Sequence, residues 1–185
     1  MIREDLSNML IHLTKGDAED ALIDLIAILT DRALKGGNGY IKGSYKCVCL
    51  SEAPISKIGF IIASKHRDFK YRPYGLIFKK EWIYKKGGLP VIYQPLKDYD
   101  LLHKDKKHLH MTFDISTDKK VDFTWEREWR IKTDRLDFEP KDVTIILPDR
   151  HVLNAVRTAF KSDETDGWHY IILEDLGVKI DHGIF

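Results

Sequence analysis

Glu126 and Glu128 stand two residues apart in Thr124-Trp125-Glu126-Arg127-Glu128-Trp129-Arg130-Ile131. The stretch reads as a strand: aromatic, β-branched and charged residues alternate, with no Gly or Pro. Side chains on a strand alternate between faces. Thr124, Glu126, Glu128, Arg130 and Lys132 then share one face, and Phe123, Trp125, Arg127, Trp129 and Ile131 share the other. Carboxylates two positions apart on one face repel, so a site that keeps them uses them or neutralises them. With Lys132 the two glutamates make a set that a metal-dependent nuclease would use, although no Asp stands in a matching strand–turn context. A solvated face with local Glu–Arg pairing accounts for the same residues equally well.

Two further polar clusters fall at strand ends. His12 and Thr14 lie on one face of a short strand and can reach one ligand; a satisfied histidine beside a capping Thr fits as well. Ser51-Glu52-Ala53-Pro54 joins a buried strand to a helix start, where Ser51 or Glu52 can act as a cap. Tyr71, Tyr74 and Tyr93 add aromatic surface and are most simply packing residues.

The elements that must position these groups follow from pattern. Residues 7–14 read as a strand, and 17–34 as a helix with Ala18, Ala21, Leu22, Leu25, Ile26, Leu29 and Ala33 on one stripe. Asp17 caps that helix, its first turn is acidic, and Gly36-Gly37-Asn38-Gly39 is expected to stop it. The glycine run has no phosphate-cradle spacing. Strands are expected at 45–51, 75–79, 90–93, 109–115, 123–132, 143–147 and 168–173. Helices are expected from Pro54 through Ile62, around Trp82 up to Gly87-Gly88, and over 150–161, with an exposed loop or helix at 94–107. Strands outnumber helices without a βαβ rhythm, which predicts an α+β fold of mixed, mainly antiparallel sheets with flanking helices.

The chain has 185 residues, 43% hydrophobic and 32% charged, which predicts one domain, 1–185, with a real core. A net charge of +1 advertises neither nucleic acid nor membrane as partner. Local Lys/Arg density at 65–72, 79–86 and 104–107 leaves a nucleic-acid face open, with solvated turns or helix faces the simpler account. Cys47 and Cys49 share a strand face, a poor disulfide geometry, and C-x-C alone is a weak metal signal; two reduced thiols and a cytoplasmic setting are expected, with no metal. No signal-like segment and no run of ~20 apolar residues is seen, so neither leader nor membrane span is expected.

The segments HLTKGD, ALKGGNGYIKG, CVCLSEAPIS, YRPYGLIFKKEW, KGGLPVIYQP and WEREWRI, spread over residues 12–131, resemble AbiGi-type abortive phage-infection proteins. The order of motifs also resembles ADP-ribosyltransferases: an early Arg or His strand, a middle Ser or Thr strand, a late Glu strand. That resemblance implies an ADP-ribosyltransferase-like fold and NAD as substrate, with ADP-ribose transferred or NAD hydrolysed. It implies His12 and Thr14 on a ribose of NAD, Ser51 at the nicotinamide ribose, and Tyr74 stacked on nicotinamide. It implies Glu128 at the ribose 2′-hydroxyl and Glu126 taking the acceptor's proton. The middle motif departs from the Ser-Thr-Ser pattern as Ser51-Glu52-Ala53, which leaves Glu52 an unassigned carboxylate. The acceptor is open among protein, DNA, RNA and water. A non-catalytic antitoxin or regulatory partner of an abortive-infection toxin is the alternative, so a cognate toxin or antitoxin is the expected protein partner.

Overall fold

A computed structural model describes residues 7–39, 41–55, 57, 71–118, 120–160 and 167–178. Most of the expected 54–62 helix and the basic stretch 65–70 lie outside the described residues. The chain builds strands β1 (Met9–Lys15), β2 (Ala33–Lys35), β3 (Cys47–Ser51), β4 (Tyr71–Lys79), β5 (Leu89–Pro90), β6 (Ile92–Gln94), β7 (His110–Thr112), β8 (Glu128–Lys132), β9 (Arg135–Asp137), β10 (Val143–Leu147) and β11 (His169–Ile172). Among the described residues three α-helices interrupt them: α1 (Ala18–Asp31), α2 (Lys80–Lys85) and α3 (Arg150–Ala159). Seven strands form one sheet in the order β11-β10-β4-β1-β3-β8-β5, antiparallel except for the β10–β11 pair. This is an α+β fold with a mainly antiparallel mixed sheet. No helix among the described residues is long and apolar enough to cross a membrane.

The sheet has two unlike faces. Leu10, Val48, Leu50, Leu76, Phe78, Trp129, Ile131, Ile145 and Leu147 pack with Ala21, Leu25 and Leu29 of α1 and Val152, Leu153 and Val156 of α3 in the larger core. The other face carries a smaller apolar cluster, Ile11, Ala53, Ile77, Ile146 and Leu173. Both long helices start as their sequences require: Asp17 accepts from the Asp20 N–H at 2.9 Å, and Asp149 accepts from the Val152 N–H at 2.8 Å.

Four expectations are corrected. The first helix ends at Asp31 rather than at the glycine run, because Arg32 turns left-handed (φ 48°) and the chain leaves to pair β2 with β9. The 90–93 strand divides, β5 joining β8 and β6 pairing β7 in a separate parallel ribbon. The 109–115 strand shrinks to three residues, with His108, Leu109 and His110 buried and Ile115 exposed. Here the demand of a buried guanidinium for carbonyls, described below, overrides alternation.

The fourth correction concerns the opening motif. Residues 123–127 are not strand: Thr124–Glu126 is one turn of 3₁₀-helix, and Arg127 is left-handed with φ 45°. Asp122 sets this turn, its Oδ1 accepting from the Thr124 N–H at 2.9 Å and the Thr124 hydroxyl at 2.6 Å. β8 begins only at Glu128, whose direct partner is Ser51.

β1 is gripped tightly on one side and loosely on the other. Toward β4 it holds an extended antiparallel register, and a Cβ on Gly75 would stand 2.2 Å from the His12 carbonyl oxygen. Gly75→Ala must therefore push the two central strands apart. We expect it to cost about 1–3 kcal/mol, read as a lowered denaturant midpoint; an unchanged midpoint would show that the strands part freely here.

Candidate active site

Toward β3, β1 is joined at the single register pair Ile11–Ser51. A side chain substitutes for the next bond: His12 Nδ1 lies 2.9 Å from the Cys49 carbonyl oxygen. A carbonyl only accepts, so Nδ1 carries the proton and Nε2 is an acceptor. Burial holds the His12 imidazole below its ordinary pKa, and Lys15 adds to this, so the ring is neutral.

Around this seam lies a cavity lined by strands β1 and β3, Tyr71 at the start of β4, and the Trp125–Glu128 segment. His12, Ser51, Glu126 and Glu128 all line it, although they come from widely separated parts of the chain. Lys15, Cys49 and Tyr71 join them. Thr14 and Tyr74 do not. The chain bulges after Leu13, and the Thr14 hydroxyl is buried and donates to the Tyr74 carbonyl at 3.1 Å. Tyr74 sits in the larger core. The aromatic rings at the cavity are those of Tyr71 and Trp125. The cavity, of about 70 Å³, is partly open to solvent, and the exposed Lys15 is among its lining residues.

Glu128 is 7% exposed and its carboxylate is held by a fork. Arg130 Nε donates to Oε1 at 2.8 Å and Nη2 to Oε2 at 2.9 Å. The remaining guanidinium nitrogen, Nη1, donates to the His108 and His110 carbonyls at 2.8 and 2.9 Å. Arg130 is 1% exposed, and these carbonyls explain the irregular path of residues 107–112. The Cys49 thiol also hydrogen-bonds to Glu128. Burial and the Glu128 charge push that thiol well above its usual range, so Cys49 stays protonated and is no nucleophile.

Glu126 is set differently. Burial, then the neighbouring Glu128 charge, push its carboxyl up to about 7, while Lys15, the Tyr71 hydroxyl and Arg130 pull it down. One carboxyl is locked to a guanidinium and the other is poised to exchange a proton near neutrality, the division that lets two carboxylates take two roles. A stability consequence follows. Between its ordinary value of 4.5 and about 7, Glu126 is protonated in the folded chain and ionised in the unfolded one. The folded state then binds more protons, so this group lowers stability as pH rises through that window. Glu126→Gln should gain thermal stability on the wild type between about pH 5 and about pH 8; a constant difference across that range would contradict the assignment.

Several groups fix the turn that aims both glutamates. The Ser51 hydroxyl donates to the Glu126 carbonyl at 2.5 Å and accepts from the Ala53 N–H at 3.2 Å. The Tyr93 hydroxyl accepts from the Glu128 N–H and donates to the Phe123 carbonyl, both at 3.2 Å. The Glu52 N–H donates to the Arg127 carbonyl at 3.1 Å. The Glu52 side chain meets Lys80 and the Trp129 indole N–H (2.8 Å) and is absent from the cavity lining, so it is a structural carboxylate. Lys132 is not a lining residue either; its ammonium lies 4.6 Å from the Tyr45 ring centroid at the far end of β8. Among the described residues no cluster of three or more His, Cys, Asp or Glu could hold a metal ion, and both cysteines are free.

Type and spacing place Arg130 on the glutamate face, Tyr71 among the aromatic surface residues and Cys49 among the reduced thiols, and give Lys15 no part. One signal was present: Glu128 and Arg130 at i and i+2 of a strand share a face and can pair.

Compared with family models, with curated proteins and with solved structures, the chain finds no match in any of the three.

Proposed function

We propose that the cavity between β1, β3 and β8 cleaves NAD, transferring ADP-ribose to an acceptor or to water, in an ADP-ribosyltransferase-like arrangement. The observation that carries this reading is the convergence of His12, Ser51, Glu126 and Glu128 on one small cavity. The chemistry needs a fixed negative charge beside a sugar carbon and a proton acceptor nearby. When the bond from ribose C1′ to the nicotinamide nitrogen breaks, its electron pair leaves with nicotinamide, and positive charge develops on C1′ and the ring oxygen. The Glu128 carboxylate, preorganised by Arg130, stabilises that charge without reorganising. Its oxygens offer about four acceptor sites. Arg130 takes two and Cys49 one, which leaves one for a ribose hydroxyl. His12 Nε2, an acceptor, suits a second ribose hydroxyl. Glu126 takes the acceptor's proton, and Tyr71 or Trp125 replaces Tyr74 as the aromatic beside the leaving ring. Ser51 acts by holding the Glu126 turn.

Incubation of the purified chain with NAD and protein, DNA, RNA or water as acceptor tests this. Free nicotinamide should accumulate; its absence with every acceptor would remove the reading. A role in phage defence rests on the resemblance to AbiGi-type proteins. It predicts that expression slows host growth and that Glu128→Gln relieves the effect. Harmless expression together with tight binding to a neighbouring gene product would favour the antitoxin or regulatory partner instead.

A further inference from the structure

We infer that Lys15, at the mouth of the cavity, is a subsite for a phosphate, so that the ligand of this cavity is a phosphorylated nucleotide rather than a free nucleoside. The inference deepens the proposed NAD-cleaving function and rests on it for the identity of the group bound inside.

Lys15 is exposed, yet it lines the cavity, and its ammonium lies 4.9 Å from the Tyr71 ring centroid. Its charge lowers the pKa of both Glu126 and His12, which line the same cavity. None of the ion pairs among the described residues uses it. The carboxylates within the cavity do not satisfy it either. Glu128 pairs with Arg130, and among the described residues no ion pair joins Lys15 to Glu126. The cavity thus presents polar acceptors and aromatic rings inside and a cation at its rim.

A ligand that matches this order is hydroxylated at its inner end and anionic just outside. A ribose with a 5′-phosphate has that order. With the ribose hydroxyls on His12 and Glu128, the phosphate of a bound nucleotide lies toward the exposed Lys15. The neighbouring backbone is braced there: Arg72 Nε donates to the Gly16 carbonyl at 2.5 Å, tying the end of β1 to the start of β4 beside Lys15.

Nicotinamide mononucleotide and nicotinamide riboside differ by one phosphate, and calorimetric titration of the full chain with each isolates its contribution. The wild type should bind the mononucleotide about tenfold more tightly, the size of one charge-assisted contact. Lys15→Gln should bring the two affinities within about twofold, chiefly by weakening the mononucleotide. Because Lys15 is exposed, the variant's folding is checked by its unfolding midpoint. Equal affinities in the wild type, no binding of either ligand, or a preference that survives Lys15→Gln would overturn the inference. Nicotinamide release from NAD, followed on the same samples, separates the two readings. A phosphate preference that depends on Lys15 without release would sustain the subsite and sink the cleavage reaction.

Discussion

Glu128→Gln is expected to lower the rate of nicotinamide release from NAD by about 100-fold or more, on the order of 3 kcal/mol in the barrier. The size follows from what the carboxylate does before the reaction begins. It is nearly excluded from water, and Arg130 fixes both of its oxygens. A negative charge held so firmly needs no reorganisation when positive charge develops on the ribose. Gln keeps the shape and removes the charge, so the loss should fall on kcat rather than KM. The assay must be run below the variant's unfolding midpoint, since Gln also faces Arg130 with a dipole in place of an anion. Glu126→Gln should act differently. Cleavage to water or acceptor should lose its rise with pH near 7 while the first bond-breaking step persists. A Glu128→Gln enzyme with wild-type kcat would mean that the carboxylate is only a structural ion.

Arg130→Leu should be the most damaging change to stability. It leaves Glu128 buried without a partner and removes donors from the His108 and His110 carbonyls. Breaking one side of a buried ion pair costs about 3–5 kcal/mol, a large part of the 5–15 kcal/mol that holds a typical domain. The double variant Glu128→Leu/Arg130→Leu should recover part of that loss, because it removes the uncompensated charge while leaving the carbonyls unpaired. Urea unfolding of the wild type, both single variants and the double variant gives the coupling directly. If Arg130→Leu unfolds at the wild-type midpoint, the guanidinium does not hold the site together.

These two residues also show what type and spacing could reveal. The pairing of Glu128 with Arg130 is local, two positions apart on a strand, and therefore legible. That Arg130 is almost wholly buried is not, because its remaining donors go to carbonyls about twenty residues earlier, in a segment with no pattern that predicts such contacts. The His12 strand, the Ser51 strand and the late Glu strand were legible as elements, and so were the capped helix at Asp17 and the buried Val143–Leu147 strand. The bend at Arg127 was hidden because Trp-Glu-Arg-Glu-Trp alternates like a strand, while the Asp122–Thr124 turn that interrupts it is set two residues upstream. Thr14 and Tyr74 shared a face or a neighbourhood with the right residues, but the bulge after Leu13 turns the Thr14 hydroxyl onto the Tyr74 carbonyl. Lys15 and Tyr71 reach the cavity through that same irregularity, so no regular alternation could select them.

The central claim is that this cavity breaks the bond between nicotinamide and ribose. Proton NMR of NAD incubated with the wild-type chain and with folded Glu128→Gln tests it most directly. The resonances of free nicotinamide should grow with the wild type and stay at the uncatalysed level with the variant. Intact NAD in the wild-type sample, or equal release by both proteins, would contradict the assignment of the cavity as an NAD-cleaving site.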